Sequence, residues 1–246
     1  MAASWNLWHG CSKISEGCRN CYVYRRDGQY GKDSSIVEKT KRFDAPVQRK
    51  RDGSYKMAPG QTVYTCFTSD FFVDGGDPWR PEAWRMIRER SDLDFFFFTK
   101  RPDRFYTGLP EDWGDGYDNV ILGCSVEDQK AADNRLPVFN SLPVKHKLIV
   151  CAPLIGPIDL SGYLNDGIEE VSAGGESGPC ARICDYDWVL DIRRQCIDKD
   201  IAFIYHQTGA KLRKDGKIYA IARRYQHSQA HRAGIDYKKS GKWGIK

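Results

Sequence analysis

Residues 94–99 read Asp-Phe-Phe-Phe-Phe-Thr, and residues 100–102 continue Lys-Arg-Pro. Four aromatic residues in succession leave a strand without a polar side. The run therefore predicts a strand buried on both faces, as in a parallel sheet covered by helices. Two cations and a proline end it abruptly in a polar loop. The same grammar recurs along the chain. Thr62–Phe67 (TVYTCF), Asn119–Ser125 (NVILGCS), Lys147–Ala152 (KLIVCA), Glu169–Ala173 (EEVSA) and Ile201–His206 (IAFIYH) predict further strands, and Trp5–Trp8 a short first one. Pro81–Arg90, Gln129–Phe139 and Trp188–Lys199 predict helices. In the last, Trp188, Val189, Ile192, Cys196 and Ile197 recur at helical spacing. Strands alternating with helices predict an α/β fold with a parallel sheet and right-handed crossovers. Six or seven such units in 246 residues predict a parallel (β/α) barrel, partial or full. No strand is followed by GxGxxG, so a dinucleotide fingerprint is absent.

This reading assigns residues 1–209 to the barrel and residues 210–246 to a basic C-terminal extension. Residues 27–60, polar and carrying Gly and Pro, form an insertion predicted to be partly helical near Ser35–Arg42. With 41% hydrophobic and 29% charged residues, wholesale disorder, collagen and coiled coil are excluded. No apolar stretch approaches the roughly 18 residues of a membrane-spanning helix. The opening residues show neither a basic leader nor an apolar core, so a cytoplasmic location is expected, and with it nine reduced cysteines.

The net charge of +5 is unevenly spread. Arg19–Lys56 holds 11 Lys/Arg against 5 Asp/Glu, and Gln207–Lys246 holds 11 against 2. Two basic flanks around an acidic body suggest a polyanionic partner, a nucleotide or nucleic acid. Solvated loops and a basic tail are the plainer explanation.

Polar and glycine residues gather where each strand stops: Thr68-Ser69-Asp70, Lys100-Arg101, Ser125-Val-Glu127 and Gly174-Gly175-Glu176-Ser177. In parallel barrels that carboxyl-end rim carries the active site. Helix capping explains one such residue per loop, but not Lys100, Arg101, Glu127 and Glu176 together. Arg101 has the geometry to clamp a carboxylate or phosphate; a salt bridge to Glu127 or Asp103 is the alternative.

The chemistry-bearing cluster is Trp8-His-Gly-Cys11-Ser-Lys-Ile-Ser-Glu-Gly-Cys18-Arg-Asn-Cys21-Tyr22, a C-x6-C-x2-C motif with a glycine before two of its cysteines. Three thiolates on one loop suit three irons of a [4Fe–4S] cube with the fourth iron open. Zinc is the rival, since His9 would complete a Cys3His set. Spacing alone leaves the two level.

Taken together, the motifs WxxWHGCxxxSxGCxxCY, TSD, FxxxTKRPxR, GxSVEDQ, PLxGPIDL and GGESGP resemble the bacteriophage-borne three-Cys-motif proteins, relatives of the radical S-adenosylmethionine (SAM) superfamily. The matches run in order from Trp5 to about Gly209. The resemblance implies that Cys11, Cys18 and Cys21 ligate a [4Fe–4S] cluster and that SAM chelates its open iron. Reductive cleavage would then give a 5′-deoxyadenosyl radical that abstracts hydrogen from a substrate, with electrons from a flavodoxin- or ferredoxin-like reductant. It implies Tyr22 near adenine. Thr68, Ser69 and Asp70 would lie at the SAM amino group, and Ser125 and Glu127 at its ribose or methionyl end. Gly174, Gly175, Glu176 and Ser177 would line the ligand, with Lys100 and Arg101 toward substrate. Two positions depart from the family pattern: Ala152 stands where it carries Glu, and His206-Gln207-Thr208-Gly209 where it tends to carry Lys and Trp. The alternative function is a non-enzymatic zinc- or cluster-bearing barrel that binds nucleic acid or a partner protein.

Overall fold

The computed structural model describes residues 3–239; the end of the basic extension, residues 240–246, lies outside them. The chain divides into two compact units. One comprises residues up to Ile14 with Val23–Cys124 and Ser141–His146; the other comprises Ser15–Tyr22, Ser125–Asn140 and the chain from Lys147 onward.

The first unit is built on parallel strands in the order β1, β4, β5, β6: β1 (Ala3–Trp5), β4 (Thr62–Thr65), β5 (Asp94–Thr99) and β6 (Val120–Ser125). β2 (Trp8–His9) and β3 (Glu38–Lys39) form a separate antiparallel pair. Helix α1 spans Tyr22–Gly28, and α2 (Arg80–Glu89) makes the crossover between β4 and β5. α2 turns Trp84, Met86 and Ile87 inward, and Trp84 packs edge-on to Phe71, Phe97 and Trp113. Phe71 stacks on Phe97 with centroids 4.7 Å apart. Arg80, fully buried, donates to the carbonyls of Phe71, Val73 and Thr107, which ties down the chain leaving the Thr68–Asp70 loop.

Three expectations are corrected here. β5 buries only one face completely: Phe95 and Phe97 are inaccessible, while Phe96 and Phe98 remain partly exposed. On the second face the β4 and β5 rings meet edge-on, Phe96 against Tyr64 and Phe98, and each stays partly exposed. Ser35–Arg42 is not helical. The side chain of Asp33 accepts from the backbone N and hydroxyl of Ser35, and the segment then pairs as β3 with β2. The predicted strand Trp5–Trp8 is two strands, β1 and β2, with Asn6 and Leu7 between them.

In the second unit, β7 (His146–Cys151), β8 (Ile168–Gly174) and β10 (Ala202–Gln207) are parallel neighbours in that order. α3 (Gln129–Ser141) precedes β7, and α4 (Tyr186–Asp198), capped by the Asp185 carboxylate, packs against β8 and β10. β9 (Cys184–Asp185), β11 (Lys211–Lys214) and β12 (Lys217–Ala220) form a small sheet, and α5 (Gln226–Arg232) packs against β10. The fold class is thus α/β, with every pairing among these seven principal strands parallel inside each unit. No helix among the described residues is long and apolar enough to cross a membrane.

Candidate functional site

The cysteine loop is gripped at several points, and in each unit the gripping groups are the polar residues at the strand ends. In the first unit, Gly10 adopts a left-handed conformation with φ +96°, and a Cβ there would collide with the carbonyl of Ile36. Only glycine fits this turn. Backbone bonds run from Gly10 N to Thr68 O (3.1 Å) and from Cys11 N to Ser34 O (2.7 Å). The Ser69 hydroxyl donates to the Gly10 carbonyl, the Tyr24 hydroxyl to the Cys11 carbonyl, and the Thr68 hydroxyl to the Trp8 carbonyl.

Arg101 is buried against the same turn. Its Nη1 lies 3.5 Å from Cys11 Sγ and 3.2 Å from Asp70 Oδ2, and Nη2 donates to the carbonyl and hydroxyl of Ser12 at 2.7 and 2.8 Å. Burial pulls the guanidinium pKa down, but Asp70 and Cys11 more than offset this and the net shift is upward. A fixed cation beside a thiol favours negative charge on sulfur. Asp70 is the organiser. Its carboxylate also accepts from the Thr99 hydroxyl (2.8 Å) and from the backbone N of Lys100 (2.9 Å) and Phe72 (3.0 Å). Asp70 thus faces protein donors, and Arg101 pairs with Asp70 rather than Glu127 or Asp103. Lys100 gives its backbone N to Asp70, and its ammonium is bonded to no described residue. His9, the proposed fourth zinc ligand, has Nε2 2.6 Å from Asp27 Oδ2, which also accepts from the Ser34 hydroxyl. Burial raises the Asp27 pKa, but Ser34 and His9 outweigh it, and the net shift is downward.

In the second unit, Gly17 N donates to Glu127 Oε1 at 3.1 Å. Glu127 is only 1% exposed and pairs with Arg135 at 2.7 Å, which also donates to the Ser125 carbonyl. Glu176 holds the next turn: it accepts from Asn20 Nδ2 (3.0 Å), from Arg182 N (2.9 Å), and from Arg182 Nε and Nη2. Burial alone would raise the Glu176 pKa; Arg182 and Asn20 reverse this and lower it. Asn20 also donates to the Cys180 carbonyl at 2.9 Å. Gly174 and Gly175 allow β8 and the chain after β10 to pack: Gly175 N donates to Gln207 O at 3.0 Å, and a Cβ on Gly175 would meet the Thr208 carbonyl. Ser125 is the last residue of β6, Ser177 lies in the loop after β8, and Tyr22 is 44% exposed at the start of α1.

Cys11, Cys18 and Cys21 are half-buried and free of disulfides. Cys66, Cys124, Cys151, Cys184 and Cys196 are buried. Burial raises the Cys184 and Cys196 thiols to about 12. Cys11 belongs to the first unit and Cys18 and Cys21 to the second. Among the described residues, no three His, Cys, Asp or Glu side chains stand together as a metal-holding group. By chemistry the donor set still fits an iron–sulfur cluster: three thiols outside disulfides on one loop, one of them facing a guanidinium, and the adjacent carboxylates taken up by arginines.

Sequence reasoning missed the roles of Gly17, Asn20, Arg135 and Arg182 in this network. Their signal was positional only: two glycines each preceding a cysteine, and arginines at helix or loop positions where solvation was the default. A family model described as "Protein of unknown function (DUF5131)" matches residues 1–241. No curated protein and no solved structure matches the chain.

Proposed function

We propose that this chain, which belongs to the DUF5131 family, is a radical SAM-type enzyme whose cysteine loop carries a [4Fe–4S] cluster. The observation that carries the reading is the wiring of the strand ends to that loop: Thr68, Ser69 and Arg101 bind residues 8–12, Glu127 binds Gly17 and Glu176 binds Asn20. Loops that merely cap helices have no reason to converge on one short segment of three thiols. Cys11, Cys18 and Cys21 would hold the cluster, whose chemistry when bound is one-electron cleavage of SAM and hydrogen abstraction from a substrate.

The chain's own residues prepare for this. Arg101 stabilises negative charge on the Cys11 sulfur. Arg135 and Arg182 neutralise Glu127 and Glu176, so the carboxylates position backbone without repelling thiolates. Tyr24 and Ser69 pin the carbonyls of residues 11 and 10. A zinc site on this loop would have His9 Nδ1 as its fourth donor, with Nε2 held by Asp27. The basic flanks favour a nucleotide or nucleic-acid substrate and a partly or fully closed barrel would shield it.

Anaerobic reconstitution tests the reading. The expected outcome is a brown protein with about four irons and four sulfides per chain that bleaches on dithionite and yields 5′-deoxyadenosine from SAM. Cys18→Ala loses the cluster. A colourless chain holding stoichiometric zinc would overturn the proposal.

A further inference from the structure

Outside the cysteine network, the first unit presents a face of aromatic rings with no role in it. Tyr64 of β4 is in register with Phe96 of β5, and residues in register share a face. Phe98 follows Phe96 by two, and Phe67 lies just beyond β4. Tyr64 stacks on Phe67 with centroids 5.4 Å apart and planes 22° apart; Phe67 stacks on Phe98 at 5.9 Å and 19°. Phe96 braces the set edge-on, 5.6 Å from Tyr64 and 4.7 Å from Phe98. Phe67 is 37% exposed, and Tyr64, Phe96 and Phe98 are partly exposed. On the next strand the residue in register with Phe98 is Gly123, which adds no side chain to cover it.

Two cationic features flank these rings. Lys100 continues the alternation Phe96, Phe98, Lys100 at the strand's carboxyl end, with no carboxylate partner among the described residues. On the other flank Ser4 is in register with Tyr64 and lines a cleft of about 240 Å³ with Asn6, Thr68, Lys41 and Arg42. Lys41 and Arg42 are exposed and likewise form no ion pair among the described residues. An apolar protein partner would have no use for unpaired cations on both sides of a ring surface. A base with phosphates on either side matches it: every base has a π-face to stack, and phosphates take Lys and Arg.

We infer that the Tyr64–Phe67–Phe96–Phe98 face is a stacking platform for single-stranded nucleic acid, with Lys100 and the Lys41/Arg42 cleft holding the backbone phosphates. This deepens the nucleic-acid reading of the substrate, but it does not depend on the cluster.

The test is fluorescence anisotropy with a labelled single-stranded oligonucleotide of about twelve nucleotides, using the full chain without reconstitution. Phe67→Ala takes away the ring that Tyr64 and Phe98 stack against and should weaken binding roughly 5- to 150-fold, the range for one lost base–aromatic stack. Phe98→Tyr keeps a ring and should bind as the parent does. Lys100→Ala should lower the slope of log K against log salt by about 0.7. Phe67 is exposed enough for its variant to fold, which circular dichroism checks. Four outcomes overturn the inference: Phe67→Ala and Lys100→Ala binding like the parent, duplex binding as tightly as single strand, a free mononucleotide binding as tightly as the oligonucleotide, or sedimentation showing a dimer that Phe67→Ala dissociates. Loss of SAM cleavage with oligonucleotide binding intact would refute the radical reading and leave this one standing.

Discussion

Replacing Gly17 by alanine tests the cysteine-loop wiring without touching a thiol. A Cβ at Gly17 would lie 2.7 Å from Glu127 Cδ and 2.9 and 3.0 Å from its oxygens. Carbon atoms pack at about 3.5–4.0 Å, so one partner must retreat by roughly 1 Å. Glu127 has nowhere to go: it is 1% exposed and paired with Arg135. The loop must therefore move, stretching the 3.1 Å bond from Gly17 N to Glu127. A hydrogen bond to a buried charge contributes about 1.5–3 kcal/mol. Overpacking costs about 1–3 kcal/mol, and the two overlap, so we expect a loss of about 3 kcal/mol. At about 2–4 °C per kcal/mol for a chain of this length, the melting midpoint should fall roughly 6–12 °C. Gly28→Ala is the control, since nothing lies within 4 Å of a Cβ there; it should leave the midpoint unchanged or raise it slightly. Differential scanning calorimetry on both variants decides. If Gly17→Ala melts with Gly28→Ala, Glu127 does not hold the loop and the wiring argument fails. Iron loading of Gly17→Ala should also drop.

Arg101→Ala removes the donors to Cys11, Ser12 and Asp70 and leaves the buried Asp70 carboxylate without its cation. The expected cost is about 3 kcal/mol in urea titration, with slower alkylation of Cys11 at neutral pH. Glu176 has its folded pKa depressed, so its contribution is present above the ordinary carboxylate range and is lost as pH falls through the folded value; the stability gap between parent and Glu176→Gln should be open at pH 7 and close in acid. Glu170 runs the other way. Burial first, then Asp236 and Glu169, raise it to about 7, so the parent should lose about 3 kcal/mol between about pH 4.5 and 7, and Glu170→Gln should abolish that loss. A flat parent profile over this window would contradict the burial of that charge.

Local pattern was enough to read the strands that start at 94, 120, 146 and 202 to within one residue, because apolar runs bounded by polar loops are a property of neighbouring residues. It failed at Ser35–Arg42, where the outcome rests on bonds to distant groups: Cys11 N takes the Ser34 carbonyl and β3 pairs with β2. It also failed on the second face of β5. Phe96 and Phe98 are as apolar as Phe95 and Phe97, and composition has no means of saying that only one pair would be sealed.

From the chain alone came the α/β alternation, the three-thiol loop and the list of polar residues at the strand ends, all of them legible because spacing and side-chain type suffice. What each polar residue holds was decided by tertiary structure. Asp70, Glu127 and Glu176 are identical in kind to ligand-binding carboxylates, yet each is turned toward an arginine and a backbone or amide donor. A carboxylate's partner depends on which donors folding brings within about 3 Å, and these donors lie from 2 to 156 residues away in sequence.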